Sequence, residues 1–197
     1  MKIEEPDLSG TYSYADYLTW RFEGMVELIH GKIYKMSPAP SSYHQRVVGE
    51  LHLQIATHLK KKHCQVFIAP FDVRFPKSRK KGNEFIDTVV QPDLCVICDP
   101  EKIDAAGCLG APDWIIEILS PHTSAKDLRQ KFDVYEKSKV GEYWVADPVA
   151  GTMLVYKLNN KGKYEGHLKP YVRTDQLTSK TLPSLTIDLS EVFETNF

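Results

Sequence analysis

No run of apolar residues in this 197-residue chain is long enough to cross a bilayer. The N-terminus MKIEEPDLSG is acidic and polar where a signal peptide would be basic and then apolar. The expectation is a soluble, cytoplasmic protein without a membrane partner. Cysteine is scarce: Cys64, Cys95, Cys98 and Cys108 are too sparse for the disulfide framework of a small secreted domain. Cys95-Val-Ile-Cys98 spells CxxC, yet it sits in the extended run QPDLCVICDP, where residues three apart face opposite sides of a strand. These cysteines are expected to be small core residues. Excess charge is missing too: 25 basic against 26 acidic side chains leave a net charge of -1, so no global field gathers DNA and any nucleic-acid contact must be local. There is no repeat, low-complexity tract or long linker. With 42% hydrophobic content, one core is sizeable where two half-length cores would each be marginal. The expectation is therefore a single domain over residues 1–197, with its core at about 13–158 and antiparallel β decoration over 159–197.

Periodicity supplies the order of elements. Residues 13–22 (SYADYLTWRF) read as a short helix, and VELIHGKIY, from Val26 to Tyr34, as two strands around a His-Gly turn. From residue 43 to about 62, Val47, Val48, Leu51, Ile55 and Leu59 fall at helical spacing and predict a long amphipathic helix. Strands are expected over 65–69, 72–75, 87–97 and 114–119, with the loop KSRKKGN interrupting the series. A second helix is expected from about Ser124 to Lys139, with Ser124 as cap and Asp127 in the capping-box position. Strands over 142–147, 152–158, 164–172 and 185–188 complete the chain. Helix, strands, helix, strand is the order of an α/β fold whose mixed sheet is flanked by helices.

Two carboxylates disturb this apolar core. Glu117 interrupts APDWIIEILS with no basic residue within four positions, and a buried charge has to be answered by a proton or a cation. Asp93 follows Pro92 at the start of the apolar run LCVI. The 24 residues between them (117 minus 93) allow a loop to return the chain beside itself, so the two carboxylates can converge. Converging carboxylates suit a hard divalent cation such as Mg²⁺ or Mn²⁺, which takes oxygen ligands, keeps several waters and binds through one or two carboxylates together with substrate phosphates. The bland alternative has Asp93 closing a turn and Glu117 paired with a distant Lys or Arg.

The segments VELIHGKIYKMSP, PDLCVI, PDWIIEILSP and DLRQKFDVYEKSKVGEYWVADP, in this order and spacing, resemble the Uma-two (DUF-820) family of the restriction-endonuclease-like PD-(D/E)XK fold. The resemblance spans roughly residues 13–158. It implies a Mg²⁺-dependent endonuclease acting on DNA, with Asp93 and Glu117 as metal ligands and the Ile118 carbonyl as a further one. One departure matters: the motif's lysine, two residues after the glutamate, is here Leu119. The resemblance implies that the lysine has moved into the following helix, where Lys131 is the candidate. At about 100° per residue Lys131 falls between Val134 and the pair Leu128 and Tyr135, at the margin of the inward face. An ordinary surface pair with Asp127 is the alternative.

His44 falls within the apolar stripe of the first long helix. It reads either as a core histidine or as a polar residue added to the site, and Glu27 in the early hairpin is a further candidate. The other histidines have no spacing that argues for a metal cluster. The loop with Lys77, Arg79, Lys80 and Lys81 reads either as a solvated hairpin tip or as a phosphate contact. The rival to a nuclease is a module that kept the fold and binds or regulates without chemistry, which Leu119 and the near-neutral charge favour. A metal-free sugar or nucleotide hydrolase would need an aromatic platform that the sequence does not display. Cutting both strands of DNA would need two sites, for which a homodimer is one source.

Overall fold

The computed structural model describes residues 6–20, 25–36, 40–78, 80–120 and 127–194, the side chains of residues 127 and 128 excepted. After a one-turn helix α1 (Tyr14–Tyr17), capped by Ser13, the chain forms β1 (Val26–Ile29) and β2 (Lys32–Lys35). Their turn places His30 and Gly31 at φ 51° and 76°, the consecutive positive values that a two-residue hairpin with native twist requires. Helix α2 (Ser42–Leu59) follows, with Ser41 Oγ accepting the His44 N–H, and it buries His44, Val47, Val48, Leu51, Ile55 and Leu59 along one face.

The remaining strands are β3 (Gln65–Ile68), β4 (Val73–Pro76), β5 (Ile86–Val90), β6 (Leu94–Ile97), β7 (Ile103–Asp104), β8 (Gly107–Leu109), β9 (Trp114–Ile118), β10 (Glu142–Asp147), β11 (Thr152–Leu158), β12 (Tyr164–Gly166), β13 (Tyr171–Val172), β14 (Gln176–Thr178) and β15 (Thr186–Asp188). They build two sheets and a small ribbon. One sheet runs β2-β1-β5-β4-β8-β7; the other runs β12-β11-β10-β9-β6-β3 with β13 also on β11; β14 and β15 pair with each other. In the second sheet β9 and β10 are parallel while β3 with β6 and β6 with β9 are antiparallel, so the sheet is mixed as expected.

Alternation along β6 and β9 sorts the core into two layers. Leu94, Val96, Trp114, Ile116 and Ile118 face α2, whereas Cys95, Ile97 and Ile115 face Val134 and Tyr135 of helix α3 (Phe132–Lys137) together with Val73, Phe75 and Val90 of the first sheet. The strand expected over 87–97 is two strands in two sheets. Pro92 has no N–H to give to a ladder, and the Gln91 N–H is spent on the Glu27 carboxylate, so the chain leaves the first sheet there and enters the second. The helix expected over 124–139 is a π-helical turn (Asp127–Lys131) leading into α3; its proposed cap Ser124 lies outside the described residues.

Two further expectations are corrected. Cys64 and Cys98 form a disulfide, because the antiparallel register Gln65↔Ile97 makes them the next facing pair across β3 and β6. Only Cys95 and Cys108 are free, both buried, and Cys95 does face away from Cys98. The C-terminal segment is also not decoration: Leu177, Leu182, Ile187, Leu189 and Phe193 belong to the same apolar cluster as α2. Helix α4 (Leu189–Val192) packs there, capped by Asp188.

One buried carboxylate ties that segment down. Glu142, without solvent exposure, accepts hydrogen bonds from Trp144 Nε1 (2.9 Å), Ser179 Oγ (2.7 Å), the Lys180 N–H (3.1 Å) and the Thr181 N–H (3.0 Å). Hydrogen bonds to charged groups contribute more than neutral ones, and buried donors left without a partner are costly. Glu142→Ala is expected to lower stability by about 3 kcal/mol or more in urea unfolding, with Glu142→Gln less severe.

Candidate active site

The antiparallel register of β6 and β9 runs Val96↔Trp114, Cys95↔Ile115, Leu94↔Ile116. Continuing the register by one step leads to Asp93, just before β6, and Glu117, within β9. The Asp93 carboxylate caps this end of the ladder by accepting the Ile118 N–H at Oδ2 (2.8 Å), and its Oδ1 lies 3.2 Å from His44 Nε2. His44 thus reaches Asp93 from the first turn of α2, while its Nδ1 is buried without a hydrogen-bond partner.

Glu117, 2% exposed, is answered by a cation after all. Its Oε1 lies 2.8 Å from Lys131 Nζ and accepts the Tyr135 hydroxyl proton at 2.5 Å. Lys131 is 4% exposed and also lies 3.0 Å from Glu27 Oε1, so one ammonium stands between two buried carboxylates. The surface-pair alternative, which would leave Lys131 in solvent, does not describe this lysine; the side chain of Asp127 lies outside the described residues. The π-helical turn ends at Lys131, and such widened turns recur where a helix must aim a side chain at a site. Tyr135, one turn on, presents its hydroxyl to the same carboxylate oxygen. Burial and the carboxylates of Glu117 and Glu27 push the Tyr135 phenol well above its ordinary range, so it stays a proton donor to Glu117.

Behind Glu27 a polar network continues into the first sheet. The Gln91 N–H donates to Glu27 Oε1 (3.0 Å), and Gln91 Nε2 donates to Asp72 Oδ1 (2.9 Å). Burial raises the Asp72 carboxyl, with the Gln91 hydrogen bond and the Arg74 charge opposing it. Gln91, Tyr135 and the weight of Glu27 were missed in the sequence. The available signal was the Lys131/Tyr135 spacing of four on a helix, which puts both side chains on one face.

Leu119, at the position where the motif has lysine, is partly buried against the apolar layer of α3. It packs; it does not serve the site. The basic loop does not converge with the carboxylates either. It joins β4 to β5, whose far end leads to Asp93, and the five residues of β5 span about 17 Å at 3.4 Å each. Lys77 pairs with Asp87 (3.2 Å), Lys80 lies over the Phe85 ring (5.3 Å), Lys81 is exposed, and Arg79 lies outside the described residues.

Two layers of mixed sheet, with Asp93 just before β6 and Glu117 within the neighbouring β9, define a restriction-endonuclease-like fold. A crystal structure from Anabaena variabilis, titled as a "putative nuclease belonging to DUF820", superposes with a TM-score of 0.70 at 22% identity, covering 92% of this chain and 97% of that one. An uncharacterized protein of Synechocystis sp. is 24% identical over 170 residues, 85% of this chain and 84% of its own length. The family profile of Uma2, described as "Putative restriction endonuclease", matches residues 14–190, and the chain belongs to that family. Among the described residues no helix is long and apolar enough to cross a membrane.

Removing the shared ammonium would leave two carboxylates facing one another in the core. Lys131→Met is expected to cost about 3–5 kcal/mol, against a few tenths for a surface pair. Glu27→Gln added to Lys131→Met should restore part of the loss, with a coupling of about 0.5–3 kcal/mol in a double-mutant cycle read by chemical denaturation.

Proposed function

We propose that the protein is a divalent-metal-dependent nuclease that hydrolyses phosphodiester bonds in DNA. The observation that carries the reading is that Asp93 is tied to β9 by the Ile118 N–H, the residue after Glu117, with the Lys131 ammonium 2.8 Å from Glu117. The donor set fits Mg²⁺ or Mn²⁺: both groups are hard oxygen donors, and two carboxylates is the number such an ion takes when substrate oxygens and waters complete its shell. Asp93 and Glu117 would hold the ion, with the Ile118 carbonyl as a further oxygen. When bound, the ion supplies Lewis-acid stabilisation of phosphate charge and an acidified water.

The chain's own residues do the positioning. Tyr135 and Lys131 fix the Glu117 carboxylate in one orientation, and the Ile118 N–H and His44 fix that of Asp93. Lys131 supplies a positive charge in a site of low dielectric, where it offsets the charge that develops on a phosphate more strongly than it would in water. His44 orients Asp93 through Nε2.

A binding or regulatory module without chemistry is the second reading. What favours it is that the Lys131 charge is already shared between Glu27 and Glu117. Purified protein incubated with supercoiled and linear DNA in Mg²⁺, Mn²⁺ or EDTA separates the two. The nuclease is expected to cut with either metal and not with EDTA, and Asp93→Asn is expected to slow single-turnover cleavage about 10²-fold or more while the melting curve stays close to wild type. Full activity in Asp93→Asn would refute the site assignment. No cleavage of any DNA by the wild type would leave the binding module.

Lys80 and Lys81 provide the local DNA contact in this reading. Replacing both with Ala is expected to weaken DNA binding evenly across sequences and to flatten the slope of log K against log salt by about 2, at about 0.9 per neutralised phosphate. An unchanged slope returns the loop to a solvated hairpin tip.

A further inference from the structure

At the end of β6 opposite Asp93, a second cluster of chemistry-bearing side chains lies at the wall of a cavity of about 510 Å³. The ligand-capable atoms of His63, Cys64 and Cys98 all fall within 4.8 Å of one another, and His63 Nε2 is 3.4 Å from Cys64 Sγ. Cys64 and Cys98 are joined as a disulfide; His63 is exposed and Asp113 lines the same cavity. The sequence offers no hint of this grouping, because Cys64 and Cys98 are 34 residues apart and meet only through the register of β3 and β6.

From this geometry we infer that the reduced protein holds a thiophilic divalent cation of the zinc class between Cys64, Cys98 and His63, and that the disulfide is the closed, metal-free state of the same site. Two thiolates and an imidazole are ligands zinc prefers over the hard cations suited to Asp93 and Glu117. At a Zn–S distance of about 2.3 Å, tetrahedral geometry puts the two sulfurs about 3.8 Å apart, within the 4.8 Å that already encloses the three ligand atoms. The bonded sulfurs must separate to reach that spacing. Three protein ligands leave the fourth position open to the cavity, where a water completes the shell and Asp113 supplies negative charge.

The chemistry balances in two steps. A dithiol reductant gives two electrons and two protons to the Cys64–Cys98 bond, yielding two thiols and becoming a disulfide itself. The cation then displaces both thiol protons as it binds. Exchange of the two thiolates with a small-molecule disulfide re-forms the Cys64–Cys98 bond, passes two electrons to that disulfide, which leaves as two thiolates, and releases the cation, so occupancy follows the thiol redox state. The site is separate from the carboxylates: the four residues of β6 and its flanks put about 16 Å of strand between Asp93 and Cys98.

The test uses the full-length protein, oxidised and then reduced by a dithiol that is afterwards removed without air. Zinc is titrated against a chromophoric chelator, and Co²⁺ is added to read thiolate ligation from its charge-transfer absorption. The expected result is one equivalent of zinc bound to reduced wild type, none to the oxidised form, and a thiolate band with Co²⁺. Cys98→Ser is expected to abolish that band, and His63→Ala to raise the zinc Kd about tenfold or more. Circular dichroism melting of each variant checks that it folds. Failure of reduced wild type to compete with the chelator, equal binding by oxidised protein, or undiminished binding in Cys98→Ser would each overturn the inference. None of these outcomes bears on DNA cleavage.

Discussion

A single ammonium holds the centre of this molecule. Lys131 Nζ lies between Glu117 of β9 and Glu27 of β1, strands that belong to different sheets, and all three side chains are almost wholly removed from solvent. Burying one carboxylate is costly; burying two side by side is tolerable only with a cation between them and further hydrogen bonds. Tyr135 and the Gln91 N–H add such bonds to the same oxygens the ammonium contacts, Glu117 Oε1 and Glu27 Oε1. The interaction therefore fixes how the two sheets and the helix between them meet. It also keeps two acidic groups in a low-dielectric setting, where a bound ion or a phosphate would be felt most strongly.

The lysine's relocation has a packing logic. On β9 the position two residues after Glu117 faces the same layer, and there Leu119 contributes to the apolar cluster of α3. The charge it would have carried arrives from the following helix, through a π-helical turn that ends at Lys131. Strand and helix thereby exchange roles: the strand supplies apolar packing where the motif has a cation, and the helix supplies the cation. Spatial arrangement of the charges, not their order along the chain, is what the chemistry requires.

The ends of β6 carry different chemistries. Near one end lie the hard oxygens of Asp93 and Glu117; at the other, the sulfurs of Cys64 and Cys98 line a cavity beside His63. Each pair lies one step beyond a cross-strand pair, Leu94 with Ile116 across β6 and β9 and Gln65 with Ile97 across β3 and β6. Antiparallel pairing brings facing side chains within about 5.5 Å, and this explains why residues tens of positions apart can act as one group.

Local signals determined much of this protein. Spacing of apolar residues was enough for α2 and its buried face, the turn residues His30 and Gly31 for the first hairpin, and the apolar runs for β9, β10 and β11. A carboxylate inside one apolar run and another just before a second marked Glu117 and Asp93 as candidates that could converge if β6 and β9 were neighbours, and that these strands pair is seen in the structure. Only the tertiary structure decided the rest. Glu27 meets Lys131, Gln91 divides the chain between two sheets, Cys64 meets Cys98, and Glu142 draws the C-terminal segment into the core through Ser179 and Thr181. Each of these joins residues from different elements, and periodicity reports which side of its own element a residue occupies, not which element lies across from it.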